Sequence, residues 1–229
     1  MKQALKRNLG FVREHIESAC ARCGRDSAGV TLVAVTKYVT PDVAAALHEC
    51  GVFDLGENRV QELEKKADAL PSTVRWHHIG NLQRNKTRKA VERAVLLHGI
   101  DSAEIAYGAS EKALELGKRI PILIEVNISG EKTKHGLGQS EVPAVLEKCL
   151  TFRGIELRGL MTMAPLSEEP EQSRRFFASL RELSRTLQER HGLPVPCELS
   201  MGMSQDFEVA IEEGATIIRV GSLLFRDLV

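Results

Sequence analysis

The run Thr31-Leu-Val-Ala-Val35, followed by Thr36 and Lys37, decides how the rest of the chain is interpreted. An apolar run without polar alternation is typical of a strand that is buried on both of its faces. Strands of that kind belong to parallel sheets, and this one ends in a single amine, Lys37. We therefore expect a parallel α/β fold with a lysine at the carboxyl end of its first strand.

Strand and helix signals alternate along the whole chain. The patterns predict strands at 31–35, 53–56, 74–79, 95–100, 121–127, 157–161, 197–200 and 215–220. They predict helices at 2–24, 41–50, 58–70, 82–93, 101–117, 139–150, 168–191 and 204–213. Eight such alternations imply parallel strands with helical crossovers.

The number of strands and the chain length favour a closed barrel. The 229 residues are close to the roughly 250 typical of one (β/α)8 TIM barrel. The alternative is an open doubly wound sheet, but the position of its glycine fingerprint holds Thr36, Lys37 and Tyr38. We predict a single barrel domain over residues 1–229.

Composition excludes several functional classes. Lys plus Arg and Asp plus Glu both number 31, so the chain lacks the basic excess of a general nucleic-acid binder. The cluster Arg84, Lys86, Arg88 and Lys89 is interpreted as a solvated helix face. No stretch approaches the ~20 apolar residues of a membrane span. The amino-terminal segment predicts a charged amphipathic helix and not a signal peptide, which indicates a cytoplasmic protein.

The cysteines give no strong metal or disulfide signal. They number five, and an odd count fits a reducing compartment. Cys20 and Cys23 form a C-x-x-C pair, but no second pair follows at zinc-site spacing. We interpret both as packing residues of the first helix and expect no metal site.

Polar or flexible residues stand at the carboxyl ends of several predicted strands, where barrel active sites lie. Lys37 follows the first strand, and Met161 ends the sixth as pocket wall or core. Lys37 could instead be a surface lysine. An amine is a nucleophile only when it is neutral, so a pKa near 10.4 must be lowered by desolvation or a neighbouring cation.

Two turns near the carboxyl terminus could hold a phosphate. The turn 200–204 precedes a predicted helix, and Gly221 and Ser222 follow the eighth strand. Barrel phosphate sites commonly use the loops after strands seven and eight, where backbone N–H groups bind the anion. An ordinary helix N-cap by Ser204 is the alternative. Together with Lys37, these turns predict a Schiff-base site for a phosphorylated aldehyde.

The remaining candidates each have a structural alternative. Arg219 is a charge in an apolar strand and could form an ion pair with Glu198 or Asp206. Asn58 could be a helix N-cap and not a ligand contact. His77 could be a hydrogen-bonded core histidine.

Six segments resemble the pyridoxal phosphate homeostasis proteins, also called proline synthase co-transcribed homologues. They are LVAVTK at 32–37, GENRVQE at 56–62, WHHIGNLQRNK at 76–86, GLMTM at 159–163, LSMGMS at 199–204 and IRVGS at 218–222. The resemblance implies a barrel like the amino-terminal domain of alanine racemase and other fold-type III enzymes. In the family, an aromatic residue often stands where this chain has His78, and relatives usually continue beyond the position of Val229.

The resemblance also implies a cofactor and roles for particular residues. Pyridoxal 5'-phosphate would be held as an internal aldimine on Lys37, with Arg219 at the pyridine nitrogen. The phosphate contacts implied are Ser200, Gly202, Gly221 and Ser222. The implied pocket residues are Asn58, His77 and Met161.

The family is thought to bind, buffer and deliver the cofactor without an established turnover. The leading hypothesis is therefore a monomeric cytoplasmic carrier that exchanges the cofactor with amines or acceptor enzymes. Arg219 only donates hydrogen bonds, so it would keep the pyridine nitrogen unprotonated and disfavour carbanion chemistry. A racemase-like enzyme is the alternative, but it needs a second base, and the only tyrosines are Tyr38 and Tyr107. A cofactor-free Schiff-base aldolase for a sugar phosphate is a third hypothesis.

Overall fold

Eight parallel strands close into a barrel in chain order. The structure, a computed structural model, describes residues 1–131, 133–193, 197–226 and 228. The strands are β1 Thr31–Val35, β2 Asp54–Glu57, β3 Arg75–Asn81, β4 Leu96–Ile100, β5 Ile120–Glu125, β6 Ile155–Met161, β7 Glu198–Met203 and β8 Ile217–Val220. The helices are α1 Lys2–Arg22, α2 Pro41–His48, α3 Val60–Ala69, α4 Thr87–Arg93, α5 Ala103–Glu115, α6 Val142–Thr151, α7 Arg174–His191 and α8 Phe207–Glu212.

Closure of the sheet confirms the predicted (β/α)8 barrel. Strand β1 pairs in parallel with β2 and also with β8, with Thr31 opposite Ile217 and Ala34 opposite Val220. An open doubly wound sheet would leave two edge strands without partners. All eight carboxyl ends therefore lie on one rim.

Several element boundaries differ from the predicted ones, and for β7 and α7 the reason is local. Strand β7 continues three residues beyond Ser200, because Gly202 adopts φ 90° and the register with β8 shifts between Ser200 and Met203. A residue with a side chain rarely adopts that backbone conformation. Helix α7 begins at Arg174, because Pro170–Ser173 forms a 3-10 turn first.

The amino-terminal helix packs along the barrel wall as its pattern predicts. Its buried face includes Leu5, Leu9, Val12 and Ile16. Asn8, also buried, donates hydrogen bonds from Nδ2 to the carbonyl oxygens of residues 224 and 226, at 3.2 and 2.9 Å. These bonds attach the first helix to the segment after β8.

The core has two layers. Inside the barrel, a cluster of side chains packs across the axis; it comprises Val33, Leu96, Leu123, Met161 and Ile217. A larger layer lies between the barrel and the helices. Full burial of one Leu, Ile or Met side chain contributes roughly 1.5–3 kcal/mol, so the two layers supply most of the stabilisation.

A buried ion pair fixes the end of β1 next to Lys37. The ammonium of Lys66, on α3, donates to Glu57 Oε1 at 2.5 Å and to the carbonyl of Thr36 at 2.6 Å. The Thr36 hydroxyl donates to the same carboxylate oxygen at 2.6 Å. Lys66 and Glu57 are both almost fully buried. The pair therefore holds the peptide that precedes Lys37 against β2 and α3.

His78 is buried without a polar partner. The residue is 1 % exposed, and neither ring nitrogen has a hydrogen-bond partner in the part of the chain that the structure describes. Burial lowers the pKa of this imidazole to about 4. His78 is therefore neutral at physiological pH.

We expect replacement of Lys66 by Met to lower the free energy of unfolding by about 3–5 kcal/mol, because the Glu57 carboxylate would be left buried and uncompensated. Urea denaturation followed by circular dichroism measures the effect. The matched control is Lys89→Met, which breaks an exposed pair with Glu64 and should cost at most about 1 kcal/mol. Equal costs for the two variants would contradict a structural role for the buried pair.

We expect His78→Phe to flatten the pH dependence of stability. Below pH 6.5 the unfolded chain binds a proton at His78, whereas the folded chain does not until the pH nears 4. Stability is therefore lost as the pH falls through this window, and this residue accounts for about 2 kcal/mol between pH 7 and pH 5. Urea denaturation at both values should show that loss reduced in His78→Phe and unchanged in His135→Gln. An unchanged loss in His78→Phe would show that its imidazole does not resist protonation.

Candidate functional site

A cavity of about 1090 Å³ opens at the carboxyl rim of the barrel. Its wall comes mainly from the ends of β1, β2, β3, β7 and β8 and from the loops that follow them. The predicted site residues on this wall are Lys37, Asn58, Arg219, Gly221 and Ser222. The structure thus brings together, at one mouth, residues that are up to 185 positions apart in the chain.

Lys37 lies at the cavity mouth, but its environment differs from the prediction. The strand before it is buried at Val33 and Ala34, whereas Lys37 itself is exposed. Its ammonium lies 4.9 Å from the ring centroid of Tyr38, which is 79 % exposed. The amine is therefore accessible from solvent, and its nearest described contact is an aromatic ring.

Arg219 is the buried cation of the site, with 4 % of its surface exposed. Its Nη1 donates to the Ser200 hydroxyl at 2.5 Å, and its Nη2 donates to the carbonyl of Thr162 at 2.9 Å. Burial lowers the pKa of the guanidinium to about 10, against the opposing attraction of Glu125 and Asp206. Arg219 is still a cation at neutral pH.

The structural ion pair considered for Arg219 does not form. No carboxylate of the described residues lies within 4 Å of its guanidinium. Glu198 instead pairs with Arg158 at 2.7 Å, and Asp206 accepts a hydrogen bond from the Met203 amide at 2.7 Å. Neutral oxygens accept from two of the five N–H donors of Arg219 without cancelling its charge.

The two turns after β7 and β8 meet at the cavity. The Gly221 amide donates to the Ser204 hydroxyl at 3.1 Å, which joins one turn to the other. Ser204, Gln205 and Ser222 line the cavity, and their backbone amides donate to no acceptor among the described residues. Free amides at the ends of two adjoining turns are suited to binding an anion.

Ser200 and Gly202 do not line the cavity. Ser200 is fully buried, and its hydroxyl is already bonded to Arg219 and to His98 Nδ1, at 2.9 Å from the latter. A Cβ on Gly202 would lie 2.5 Å from the Cβ of Ala210, so this glycine packs against α8. The geometry gives Ser200 a role behind Arg219 and gives Gly202 a conformational role.

His77 and Met161 also lie away from the cavity wall. His77 bonds through Nε2 to Asp54 Oδ1 and through Nδ1 to His98 Nε2, both at 3.0 Å. It borders a second cavity, on the amino-terminal side of the barrel. Met161 is fully buried in the interior cluster, and Met163 lines the cavity instead. Both residues follow the structural alternative considered for them.

Asn58 lies on the cavity wall and is not a helix cap. Helix α3 begins at Val60, and Arg59 occupies the N-cap position without a capping hydrogen bond from its side chain. Asn58 is exposed. Its amide is therefore available to a ligand.

The wall of the cavity has one sign of charge. Its charged residues are all basic: Lys37, Arg59, Lys86, Arg219 and Arg226. None of the described lining residues is Asp or Glu, although the whole chain has net charge zero. A wall of this kind attracts anions.

The basic cluster predicted on one helix is divided between two environments. Arg88 pairs with Glu92 at 2.9 Å, and Lys89 pairs with Glu64 at 2.9 Å. These two are the solvated face that was expected. Lys86 belongs to the cavity wall instead.

Two buried polar residues near the site were missed from the sequence. His98 bridges His77 and Ser200, and Glu125 has a carboxylate oxygen without a hydrogen-bond partner among the described residues. Burial and the nearby Asp101 raise the pKa of Glu125 to about 7. Each is the one polar residue in an otherwise apolar or glycine-containing strand, which is the signal that could have identified them.

Two other features are absent from the described residues. The described residues contain no group of three or more His, Cys, Asp and Glu that could hold a metal ion. None of the helices formed by these residues has both the length and the hydropathy that a membrane span requires.

The chain matches proteins of known family along nearly its whole length. Residues 2–228 match the model described as alanine racemase, N-terminal domain. The pyridoxal phosphate homeostasis protein of Aquifex aeolicus is 43 % identical over 220 residues, which cover 96 % of each chain. The human protein of the same name is 36 % identical, covering 96 % of this chain and 85 % of its own.

Solved structures agree with the sequence matches. PipY of Synechococcus elongatus, with pyridoxal phosphate bound, superposes with a TM-score of 0.83 at 32 % identity and covers 96 % of this chain and 99 % of that one. Alanine racemase of Clostridium difficile shares the fold, with a TM-score of 0.76 at 15 % identity over 56 % of its chain. By its near full-length matches and its barrel, this chain belongs to the family of pyridoxal phosphate homeostasis proteins.

Proposed function

We propose that this protein binds pyridoxal 5'-phosphate at the rim cavity, with Lys37 as the amine that holds its aldehyde. The observation that carries the proposal is the charge of the cavity wall. A chain with no net charge gathers five basic residues and no acidic one among the described lining residues. A ligand with a phosphate group and an aldehyde matches such a wall and a primary amine on its edge.

The donor set fits the phosphate. Ser204, Gln205 and Ser222 offer backbone amides without described acceptors, and the Ser222 hydroxyl lies on the same wall. The volume of about 1090 Å³ exceeds what a ligand of this size needs. We therefore assign the phosphate to the turns after β7 and β8.

The contacts proposed from the sequence are revised accordingly. Lys37, Asn58, Arg219, Gly221 and Ser222 stay in the proposed contact set because they line the cavity. In the same set, His78, Ser204 and Met163 take the places that His77, Ser200, Gly202 and Met161 held in the sequence-based prediction.

Arg219 supports a holding role. When bound, pyridoxal phosphate supplies an electron sink whose strength depends on protonation of its ring nitrogen. Arg219 is a cation at neutral pH and has only donors, so it cannot accept a proton from that nitrogen or stabilise its protonated form. Such a residue disfavours strong stabilisation of a carbanion. It does not interfere with storage of the cofactor.

The exposure of Lys37 supports delivery. An exposed amine can be reached by an incoming amine or by an acceptor enzyme without opening the barrel. We infer a cytoplasmic protein that buffers the cofactor and transfers it to cofactor-dependent enzymes. The exposed large apolar residues are distributed over many elements, from Phe11 on α1 to Leu166 after β6, which supports a monomer.

Lys37→Arg keeps the positive charge but removes the primary amine, so it should abolish the visible aldimine band that stays with the protein after unbound pyridoxal phosphate is removed. Borohydride reduction and peptide mapping should label Lys37 in the wild type and no residue of the cavity in the variant. Lys86→Ala is the matched control: it removes a charge from the same wall and should weaken binding while keeping the band. A visible band that survives in Lys37→Arg would reject the assignment.

One observation favours a racemase-like enzyme as the second candidate: Tyr38, a possible second base, lies beside Lys37. Proton exchange at the α-carbon of alanine in deuterium oxide separates the two functions. We expect no exchange above the rate of free pyridoxal phosphate, because Arg219 disfavours the carbanion. Rapid exchange that is lost in Lys37→Arg and in Tyr38→Phe would establish the enzyme instead.

A further inference from the structure

Five buried polar residues form a continuous hydrogen-bonded path inside the barrel, behind the cavity. Arg219 Nη1 is 2.5 Å from Ser200 Oγ, and Ser200 Oγ is 2.9 Å from His98 Nδ1. His98 Nε2 is 3.0 Å from His77 Nδ1, and His77 Nε2 is 3.0 Å from Asp54 Oδ1. Ser200 on β7 and His98 on β4 are not on neighbouring strands, so the path crosses the barrel interior.

The groups at the two ends of this path determine the direction in which its hydrogen bonds are donated. Burial would raise the pKa of the Asp54 carboxyl, but hydrogen bonds from Arg75 and His77 outweigh that effect and lower it to about 2. Asp54 is therefore a carboxylate that only accepts, and His77 Nε2 must carry a proton. At the other end, a guanidinium only donates, so the Ser200 oxygen accepts from Arg219.

The middle of the path then has one fully satisfied arrangement with both rings neutral. His77 Nδ1 accepts, so His98 Nε2 must donate to it. His98 Nδ1 is then without a proton and accepts from the Ser200 hydroxyl. Each donor in the path meets one acceptor. Complete burial and the neighbouring His77 and Arg219 lower the pKa of His98 well below its usual value, in agreement with a neutral ring.

The other arrangement leaves a group unsatisfied. If His98 carried its proton on Nδ1, the Ser200 oxygen would accept from both His98 and Arg219. The Ser200 proton would then need an acceptor elsewhere in a fully buried site. His77 would also have to become a cation.

We propose that His98 is a positioning residue for Arg219. With Ser200 and His77 it forms a hydrogen-bond chain, donated in one direction from the Arg219 guanidinium to the Asp54 carboxylate, that fixes how Arg219 faces the cavity. The chain links the cofactor cavity to the opposite mouth of the barrel, where Asp54 and His77 border the second cavity. It also commits the Ser200 proton to His98, so Ser200 has no donor left for a phosphate.

The hydrogen-bond chain can be tested without any ligand. Protein labelled with ¹⁵N-histidine, free of cofactor, is examined at pH 7.5 by long-range ¹H–¹⁵N correlation, with His77→Gln and His98→Gln to assign the two rings. We expect both rings to be neutral with the proton on Nε2. A proton on Nδ1 of His98, or a doubly protonated His77, would overturn the proposed direction.

The effect on Arg219 is the second readout, and it too needs no cofactor. A guanidinium held at both Nη atoms rotates slowly, so its ¹⁵Nη resonances should be separate in the wild type. They should merge in Ser200→Ala and in His98→Gln, and stay separate in Ser184→Ala, which removes a buried serine hydroxyl on α7. Separate resonances in folded Ser200→Ala and His98→Gln would show that the chain does not position Arg219.

The consequence for the ligand rests on the function proposed above. Ser200→Ala should weaken binding of pyridoxal phosphate about tenfold, the cost of one hydrogen bond to a charged group. Ser200→Thr, which keeps the hydroxyl, should restore binding, and Ser184→Ala should not alter it. Unchanged affinity in Ser200→Ala would overturn this consequence. If the wild type bound no pyridoxal phosphate, the proposed function would fail. The two ligand-free measurements would still test whether the hydrogen-bond chain has the proposed direction and positions Arg219.

Discussion

A positive charge buried inside the barrel is the constraint on which the site depends. Arg219 is placed in β8 with its guanidinium almost completely removed from water, and no described carboxylate neutralises it. A buried cation is costly unless its donors are satisfied. Here a hydroxyl and a carbonyl each accept one hydrogen bond from the guanidinium and leave its charge at the cavity wall. The polar residues of β3, β4 and β7 are arranged around this requirement.

The small residues of the segment SMGMS, at 200–204, have three different roles around this constraint. Ser200 supports Arg219 from behind, and Gly202 allows β7 to bend with a positive φ and to pack on α8. Ser204 joins the turn after β8 and reaches the cavity. One short motif therefore supplies a supporting hydroxyl, a backbone bend and an anion-facing turn. Its small residues are needed for three different physical reasons.

The cavity combines an accessible amine with a surrounding backbone that is held rigidly. Lys37 is exposed, but the peptide before it is held by the buried Lys66–Glu57 pair and by the Thr36 hydroxyl. The turns after β7 and β8 are joined by the bond from Gly221 to Ser204. A covalently held ligand in such a site is reachable by other amines while its anionic end is held in place. That combination suits storage and transfer better than a closed reaction chamber, which usually excludes water.

The barrel could be predicted from the sequence, because apolar strand runs alternate with helical periodicity eight times and parallel strands of this kind must be covered on both faces. It also located the rim residues Lys37, Asn58, Arg219, Gly221 and Ser222, since the carboxyl ends of parallel strands share one edge. That His78 and not His77 lines the cavity, and that Ser200 and Met161 are interior, depends on the three-dimensional arrangement of the strands. Adjacent residues of a strand point to opposite faces, and register shifts such as those in β3 and β7 disturb that alternation. The partners of His98 and the exposure of Lys37 depend on strands and loops that are distant in sequence, and no local pattern encodes those contacts.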